Sequence, residues 1–461
     1  MTDFWDFEVW GTFNLVAILL IGLLLANVLK RKVKFLRLSL IPTSVLGGLL
    51  LLLISMAYEM IYGVDLFNTD FFGGKGIMTL EMITYHSLAI GFIATSFKSS
   101  KERMNKKRAG EVFNTGLTTV STYLIQGIVG LGITIICAAF FMEDFFPAAG
   151  IILPFGFGQG TGQAMNYGNI YELDYGFAGG KSFGLTIAAM GFLSASLGGV
   201  VHLNILRKKG IFIPKAEEQA EEYQSDDIQA ADEIPMNGSV DKITVQMGFV
   251  LGTYLLAYLV MYGLGELLPG LKSILYGFNF LFGVLIAVGI NSGIIALRRS
   301  GAMKRRYVNE FLMNRISGFF FDLMIVAGIA AIELDVLKGY LGILLALGVA
   351  GLLITYFYIK FICRRLFPEY ENEQFLAMYG MLTGTASTGI VLLREMDREL
   401  KGPAAENLVY QNLPAMVFGF PMMIVATLAP QIPYWTLLII IVYFLVLNVI
   451  MFRNKIFRKR K

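Results

Sequence analysis

The sequence predicts an all-α polytopic membrane protein, built as a 5+5 inverted-topology repeat with two re-entrant hairpins and one extra C-terminal transmembrane helix. Three observations carry that prediction. Apolar runs of about 20 residues, the length that crosses a bilayer, recur along the whole 461-residue chain. Five such runs precede one long acidic segment, and a repeat with an odd number of spans re-enters the membrane from the opposite side. Two glycine-rich stretches, Gly156–Thr161 and Gly380–Thr385, share the pattern G-x-x-x-G-T and lie 224 residues apart.

Composition sets the class. The chain is 56% hydrophobic and 16% charged, with mean hydropathy +0.64, whereas soluble domains carry about 25% charged residues. The formal net charge of +4 is held in short loops, so it reads as an orientation signal and no nucleic-acid partner is expected. No metal triad, phosphate-binding loop, nucleophile elbow or catalytic His–acid pair is present in the sequence, and no enzymatic activity is expected.

Hydropathy places spans near 12–30, 39–62, 80–97, 115–141, 182–206, 243–267, 273–297, 313–333, 338–362, 405–428 and 433–452. Asp3, Asp6 and Glu8 make the start acidic where an export signal is basic, so the first run reads as a retained span. Basic clusters follow every second span: Lys30–Lys34 with Arg37, Lys98 to Arg108, Arg207–Lys209, Arg298–Arg306, Lys360–Arg365 and Arg453–Lys461. The positive-inside rule then puts the N-terminus outside and the C-terminus in the cytoplasm.

The segments divide accordingly. Residues 1–206 form the first half, with a hairpin near 148–168, and 207–242 form an acidic cytoplasmic linker. Residues 243–428 form the second half, with a hairpin near 376–397, and 429–461 add a span and a basic tail. The linker carries Glu217, Glu218, Glu221, Glu222, Asp226, Asp227, Asp232 and Glu233 and reads as a solvated connector; its "NGS" run, which starts at Asn237, matches a glycosylation pattern on the wrong side of the membrane. Cys137 and Cys363 read as packing residues, and His86 and His202 as isolated interfacial ones.

The two stretches "LPFGFGQGTGQAMNYG" (153–168) and "YGMLTGTASTGIVLLREMD" (379–397) each follow the fourth span of their half. Irregular backbone at membrane depth survives only where protein or a water-filled cavity encloses it. Glycine permits the turn and the close approach of a ligand. A broken helix exposes N–H groups that favour a carboxylate, while the carbonyls of the opposite end suit a small cation.

On "LRLSLIPTSVLGGLL" (36–50), "GFGQGTGQAMN" (156–166), "INSGI" (290–294) and the region Met378–Met422, with "TGTASTG" and "NLPAMVFGFPM", the chain resembles the bacterial sodium/glutamate symporter family over roughly residues 10–428. The resemblance implies an elevator-type secondary transporter of the bacterial cytoplasmic (inner) membrane. It further implies a homodimer that imports L-glutamate or a related acidic amino acid with Na⁺ and needs no other cofactor. Gln159 stands where the family carries His, and Thr385-Ala-Ser-Thr388 where it carries a Pro-containing run. A carrier on the same frame for a neutral amino acid or a dicarboxylate, or one coupled to H⁺, therefore stays open.

Candidate substrate-binding residues are Gly158, Gln159, Gly160, Thr161, Gly162 and Gln163 in the first hairpin, with Thr383, Gly384, Thr385, Ser387 and Thr388 in the second. Each polar side chain among them either meets the substrate or cements its hairpin. Candidate Na⁺ ligands are Asn166, Thr385, Ser387, Gln411 and Asn412. Asn291 reads as a helix–helix hydrogen bond. Arg394, Glu395 and Asp397 either reach the substrate or lie solvated in the cytoplasmic mouth.

Overall fold

A computed structural model describes residues 3–97, 106–211, 233–235, 240–397 and 402–453. Lys98, Lys101 and Arg103, the linker acids from Glu217 to Asp232, the "NGS" run at 237–239 and the tail beyond Arg453 lie outside the described residues.

The protein is all-helical, with no strand among the described residues. Its long helices are α1 (Phe7–Lys32), α2 (Thr43–Tyr62), α3 (Gly76–Ser96) and α4 (Lys106–Phe140). A first hairpin, α5 (Leu153–Gln159) and α6 (Thr161–Tyr175), leads into α7 (Gly180–Lys208). Next come α8 (Lys242–Leu267), α9 (Asn279–Arg299), α10 (Glu310–Ala330) and α11 (Leu341–Leu366). A second hairpin, α12 (Glu371–Thr383) and α13 (Ala386–Arg394), precedes α14 (Pro403–Tyr410), α15 (Asn412–Leu428) and α16 (Pro433–Met451).

Ten helices among the described residues are long and apolar enough to cross a membrane, and α14 and α15, bent by 48° at their junction, would make an eleventh if taken together as one span. The protein is thus a polytopic α-helical membrane protein. Ten of the eleven spans read from hydropathy recur as long apolar helices, and the expected 405–428 span falls on the bent pair α14–α15; the shifted ends have local causes. The fourth is already helical at Lys106, nine residues before 115, and there Arg108 pairs with Glu111 and with Glu406 at 2.6 Å. The seventh starts at Asn279 rather than 273, because the chain breaks at Phe278 after a separate short helix, Lys272–Gly277. The first hairpin runs on to Tyr175, where Gly176 at φ +73° closes α6 with bonds to the Glu172 and Tyr171 carbonyls.

One reading of the linker is corrected. Its acidic end is not solvated throughout, because the Glu233 side chain is buried. Its carboxylate lies 2.7 Å from Lys242 Nζ and accepts from Asn309 Nδ2 at 2.6 Å. The pair survives in an apolar setting because each ion has a partner and the carboxylate has a further donor.

The helices sort into two groups by packing. In the first, α1, α2, α3, α8, α9 and α10 pack around α3 and α10. In the second, both hairpins pack with α4, α7, α11, α14, α15 and α16. The groups meet chiefly where α6 lies on α3 and α10. Near that seam Lys181 reaches Glu81 at 2.9 Å, and burial raises the Glu333 carboxyl above the ordinary range.

Helix α7 is the axis of the second group and is far more deeply buried than α8. Its glycines admit other backbones. Gly180 and Gly184 lie against Gly168 and Ala164 of the first hairpin, and Gly198 and Gly199 lie against Tyr379 and Leu392 of the second. A Cβ at Gly191 would stand 2.8 Å from the Thr383 carbonyl oxygen and 3.1 Å from Phe157 Cα. The hairpins therefore come from opposite ends of α7, and their tips meet at Gly191.

That close approach is testable. Gly191→Val should destabilise the protein by about 1–3 kcal/mol through overpacking, seen as a lower unfolding midpoint in detergent. Gly252→Val, where a Cβ meets nothing within 4 Å, should stay within about 0.5 kcal/mol.

Candidate functional site

Both glycine-rich stretches are true chain reversals. In the first, Phe155 and Tyr167 stack with ring centroids 3.9 Å apart, although a continuous helix would hold them about 18 Å apart at 1.5 Å per residue. In the second, the backbone of Gly380 lies against Gly389, and Gly389 against the Ala377 carbonyl. The breaks fall at Gly160 and at Gly384-Thr385, equivalent positions of the two G-x-x-x-G-T patterns. A Cβ on Gly160 would come within 3.4 Å of Thr385 Cγ2. The two tips therefore adjoin.

Each break leaves two helix ends. Helices α6 and α13 begin at the junction with no side-chain cap, and their first internal bonds run from Ala164 to Gly160 and from Gly389 to Thr385. The N–H groups of 161–163 and 386–388 have no partner within their helices, which makes both ends attractive to anions. Helices α5 and α12 end at the same place with outward carbonyls. Two of these carbonyls are taken from α4: Tyr123 donates its hydroxyl to Gly158 O at 3.1 Å, and Gln126 Nε2 donates to Leu382 O at 2.9 Å.

The expected substrate residues take distinct places. Gln159 and Thr385 are half-buried and Ser387 is exposed at the tips, while Gly158, Gly160, Gly162, Gly384 and Thr388 are buried. Thr161 donates to the Met324 carbonyl at 3.2 Å, and Thr383 to the Tyr379 carbonyl at 2.6 Å, so both hydroxyls hold packing. Thr385 and Thr388 face each other at 3.4 Å. Gln163 is 1% exposed, and neither its Oε1 nor its Nε2 has a partner. An unmet buried amide costs about 1–3 kcal/mol, so a polar ligand at α6 would relieve it.

The expected Na⁺ ligands do not all converge. Thr385 and Ser387 sit at the second tip. Asn166 is more than a turn down α6 and donates to the Gly277 carbonyl at 3.2 Å. Gln411 lies at the α14–α15 bend, where Thr119 donates to its Oε1 at 2.8 Å and its Nε2 approaches Met381 Sδ at 3.3 Å. Asn412 is exposed. Arg394 and Glu395 are exposed at the far end of α13, away from the tip, and Asp397 accepts from the Gly402 N–H at 2.8 Å. Asn291 is buried in α9.

The remaining isolated residues have structural neighbours. His86 bonds Tyr254 at 2.7 Å. His202 stacks on Phe375 and bonds Tyr356 at 3.0 Å. Both cysteines are free thiols. Tyr123 and Gln126 were not singled out by sequence reasoning. The signal for them was the polar run 115–126 inside an apolar span, "TGLTTVSTYLIQ", because polar groups inside a membrane helix normally face protein.

Among the described residues no group of three or more His, Cys, Asp or Glu is placed to hold a metal ion. The oxygens at the junction are amide, hydroxyl and carbonyl, a donor set for a weakly bound monovalent ion. No protein-family model matches the chain, and no curated protein matches it.

Gly160 sits at φ +82°, ψ −169°, a region open essentially to glycine alone. Gly160→Ala should cost about 1–3 kcal/mol, and the expected outcome is a lower unfolding midpoint in detergent.

Proposed function

We propose that the protein is a Na⁺-coupled secondary active transporter, a symporter that imports L-glutamate or a closely related acidic amino acid. The observation that carries this reading is the meeting of two helical hairpins, at equivalent sequence positions, with two uncapped helix N-termini at one junction. In this reading the halves 1–206 and 243–428 are inverted-topology repeats, and the hairpins enter from opposite faces of the membrane to meet near its midplane.

The carboxylates of the solute bind the N–H groups of 161–163 and 386–388, with Thr385, Ser387, Gln159 and Gln163 fixing its orientation. Partial charges at helix ends serve here in place of a fixed cation. The sorting of helices into two groups supports an elevator-like motion, in which the hairpin group slides against α3 and α10. The protein acts as a homodimer in a bacterial cytoplasmic membrane, N-terminus outside, as in the sodium/glutamate symporter family it resembles.

Energetics favour coupling. Glutamate carries one net negative charge, and an inside-negative potential opposes its entry by about 2.3 kcal/mol per 100 mV. One Na⁺ cancels that term and a second adds driving force. Gln159, half-buried at the first tip where the family has His, makes the identity of the solute the point to examine.

Liposomes holding the purified protein should accumulate labelled glutamate only under an inward Na⁺ gradient, and acidic competitors should inhibit. Uptake indifferent to Na⁺ would sink the coupling, and inhibition by neutral amino acids or dicarboxylates alone would reassign the solute. Thr385→Val and Gln159→Ala should each weaken apparent affinity about 10–100-fold, the worth of one hydrogen bond to a charged ligand, with folded protein unchanged.

A further inference from the structure

We propose that Gln126 is a binding residue for a monovalent cation at the hairpin junction, its Oε1 serving as one ligand. Gln126 lies within α4 and is 0% exposed. Its Nε2 donates twice, to the Leu382 carbonyl at 2.9 Å and to Thr355 Oγ1 at 2.8 Å. Turning the amide over would set Oε1 against the Leu382 oxygen, two acceptors face to face, so its orientation is determined. Oε1 therefore points away from both partners. It is buried and no donor reaches it.

The surroundings say what that oxygen lacks. Tyr123 and Gln126 are three residues apart and share a face of α4. Tyr123 bonds Gly158 O and Gln126 bonds Leu382 O, each two residues before the breaking glycine of its hairpin, and these carbonyls are 224 residues apart like the motifs that contain them. One helix face thus holds the equivalent carbonyl of both hairpins. Helices α5 and α12 both end there, and helix C-termini carry partial negative charge. An acceptor without a donor, beside two such ends, suits a positive group.

The chemistry of that group is narrow. Divalent ions draw on carboxylates, and the groups gathered here are neutral: amide, hydroxyl and backbone carbonyl oxygens. Neutral oxygens suit Na⁺ or an alkylammonium. The assignment rests on the transport reading above and names a residue outside the two hairpins as part of its site. The charge could arrive as the coupling ion or as the ammonium of the solute, and the test separates them.

The full-length protein in detergent would be unfolded thermally across a titration of NaCl against choline chloride at fixed ionic strength. A second titration in choline would compare L-glutamate with glutarate, which lacks the ammonium. Ligands that bind only the folded state raise the midpoint in proportion to occupancy. Gln126→Leu should shift one of these responses at least tenfold to higher concentration. Gln126→Glu, which keeps an oxygen there and adds charge, should respond at lower concentration than the native protein and become pH-dependent.

A lost Na⁺ response with the glutamate preference kept would identify the site with the ion. A lost preference for glutamate over glutarate with the Na⁺ response kept would identify it with the ammonium. Both responses unchanged within twofold in both variants would overturn the assignment and leave Gln126 as a strut. Should Gln126→Leu not fold, an unchanged cation response in Gln126→Glu alone overturns it. A native protein that answers neither Na⁺ nor any acidic solute sinks the transport reading and this assignment together, whereas a native response surviving in both variants sinks only this one.

Discussion

A backbone break buried among apolar helices has to be enclosed, and that constraint organises the second group of helices. Lipid cannot bond a free N–H or C=O, and each one left unmet there costs several kcal/mol. The protein has two breaks, at Gly160 and Gly384, and surrounds them with α4, α7 and α11. Helix α7 supplies closeness, through glycines that let two other backbones touch it. Helix α4 supplies bonding, with Tyr123 and Gln126 on the two tips and Thr134 donating to the Pro147 carbonyl at 2.7 Å. Helix α11 supplies Thr355 and lays Gly351 against Phe157. The polarity of α4 and the small residues of α7 are thus two answers to one problem.

The last helix belongs to that solution. Its Asn448 donates to Ser121 Oγ at 2.9 Å and accepts from Tyr358 at 3.0 Å, and Ser121 and Tyr358 lie 2.5 Å apart. This closed triangle joins α16 to α4 and α11, the two helices that hold Gln126 in place. Arg453 adds a cation–π contact to Phe113 at 5.3 Å, and Ile440 approaches Gly127. A span that looks appended in the sequence is bonded to the supports of the hairpin junction.

Class and span positions were legible in the sequence because the bilayer imposes a length and a polarity on every crossing segment. The hairpins were legible as chain reversals because glycine between apolar flanks is averse to helix. Less legible was which polar residues serve the junction and which serve packing. Thr161 and Thr383 look like ligands in the motif, yet each commits its hydroxyl to a nearby carbonyl. Asn166 shares the motif but donates to the Gly277 carbonyl, because it lies more than a turn along α6 from the tip. Gln126 is the converse case, since its neighbour Leu382 is 256 residues away in sequence and no local pattern announces the pair. Glu233 also escaped, because an acidic run reads as solvated until Lys242 and Asn309 are seen to close over its end.

The distribution of charge follows from the same constraint. Ion pairs stand near helix ends, as in Lys181–Glu81, Arg108–Glu406 and Lys242–Glu233, while the residues that meet at the two tips are neutral. A fixed ion buried at the junction would carry a desolvation penalty in every state in which its partner is absent. Helix ends avoid this, because their partial charges belong to a backbone already bonded along its length. An unmet amide such as Gln163 or Gln126 is likewise less costly to leave waiting than an unmet carboxylate. A junction of this kind can stand without a partner and leave no bare charge buried in it.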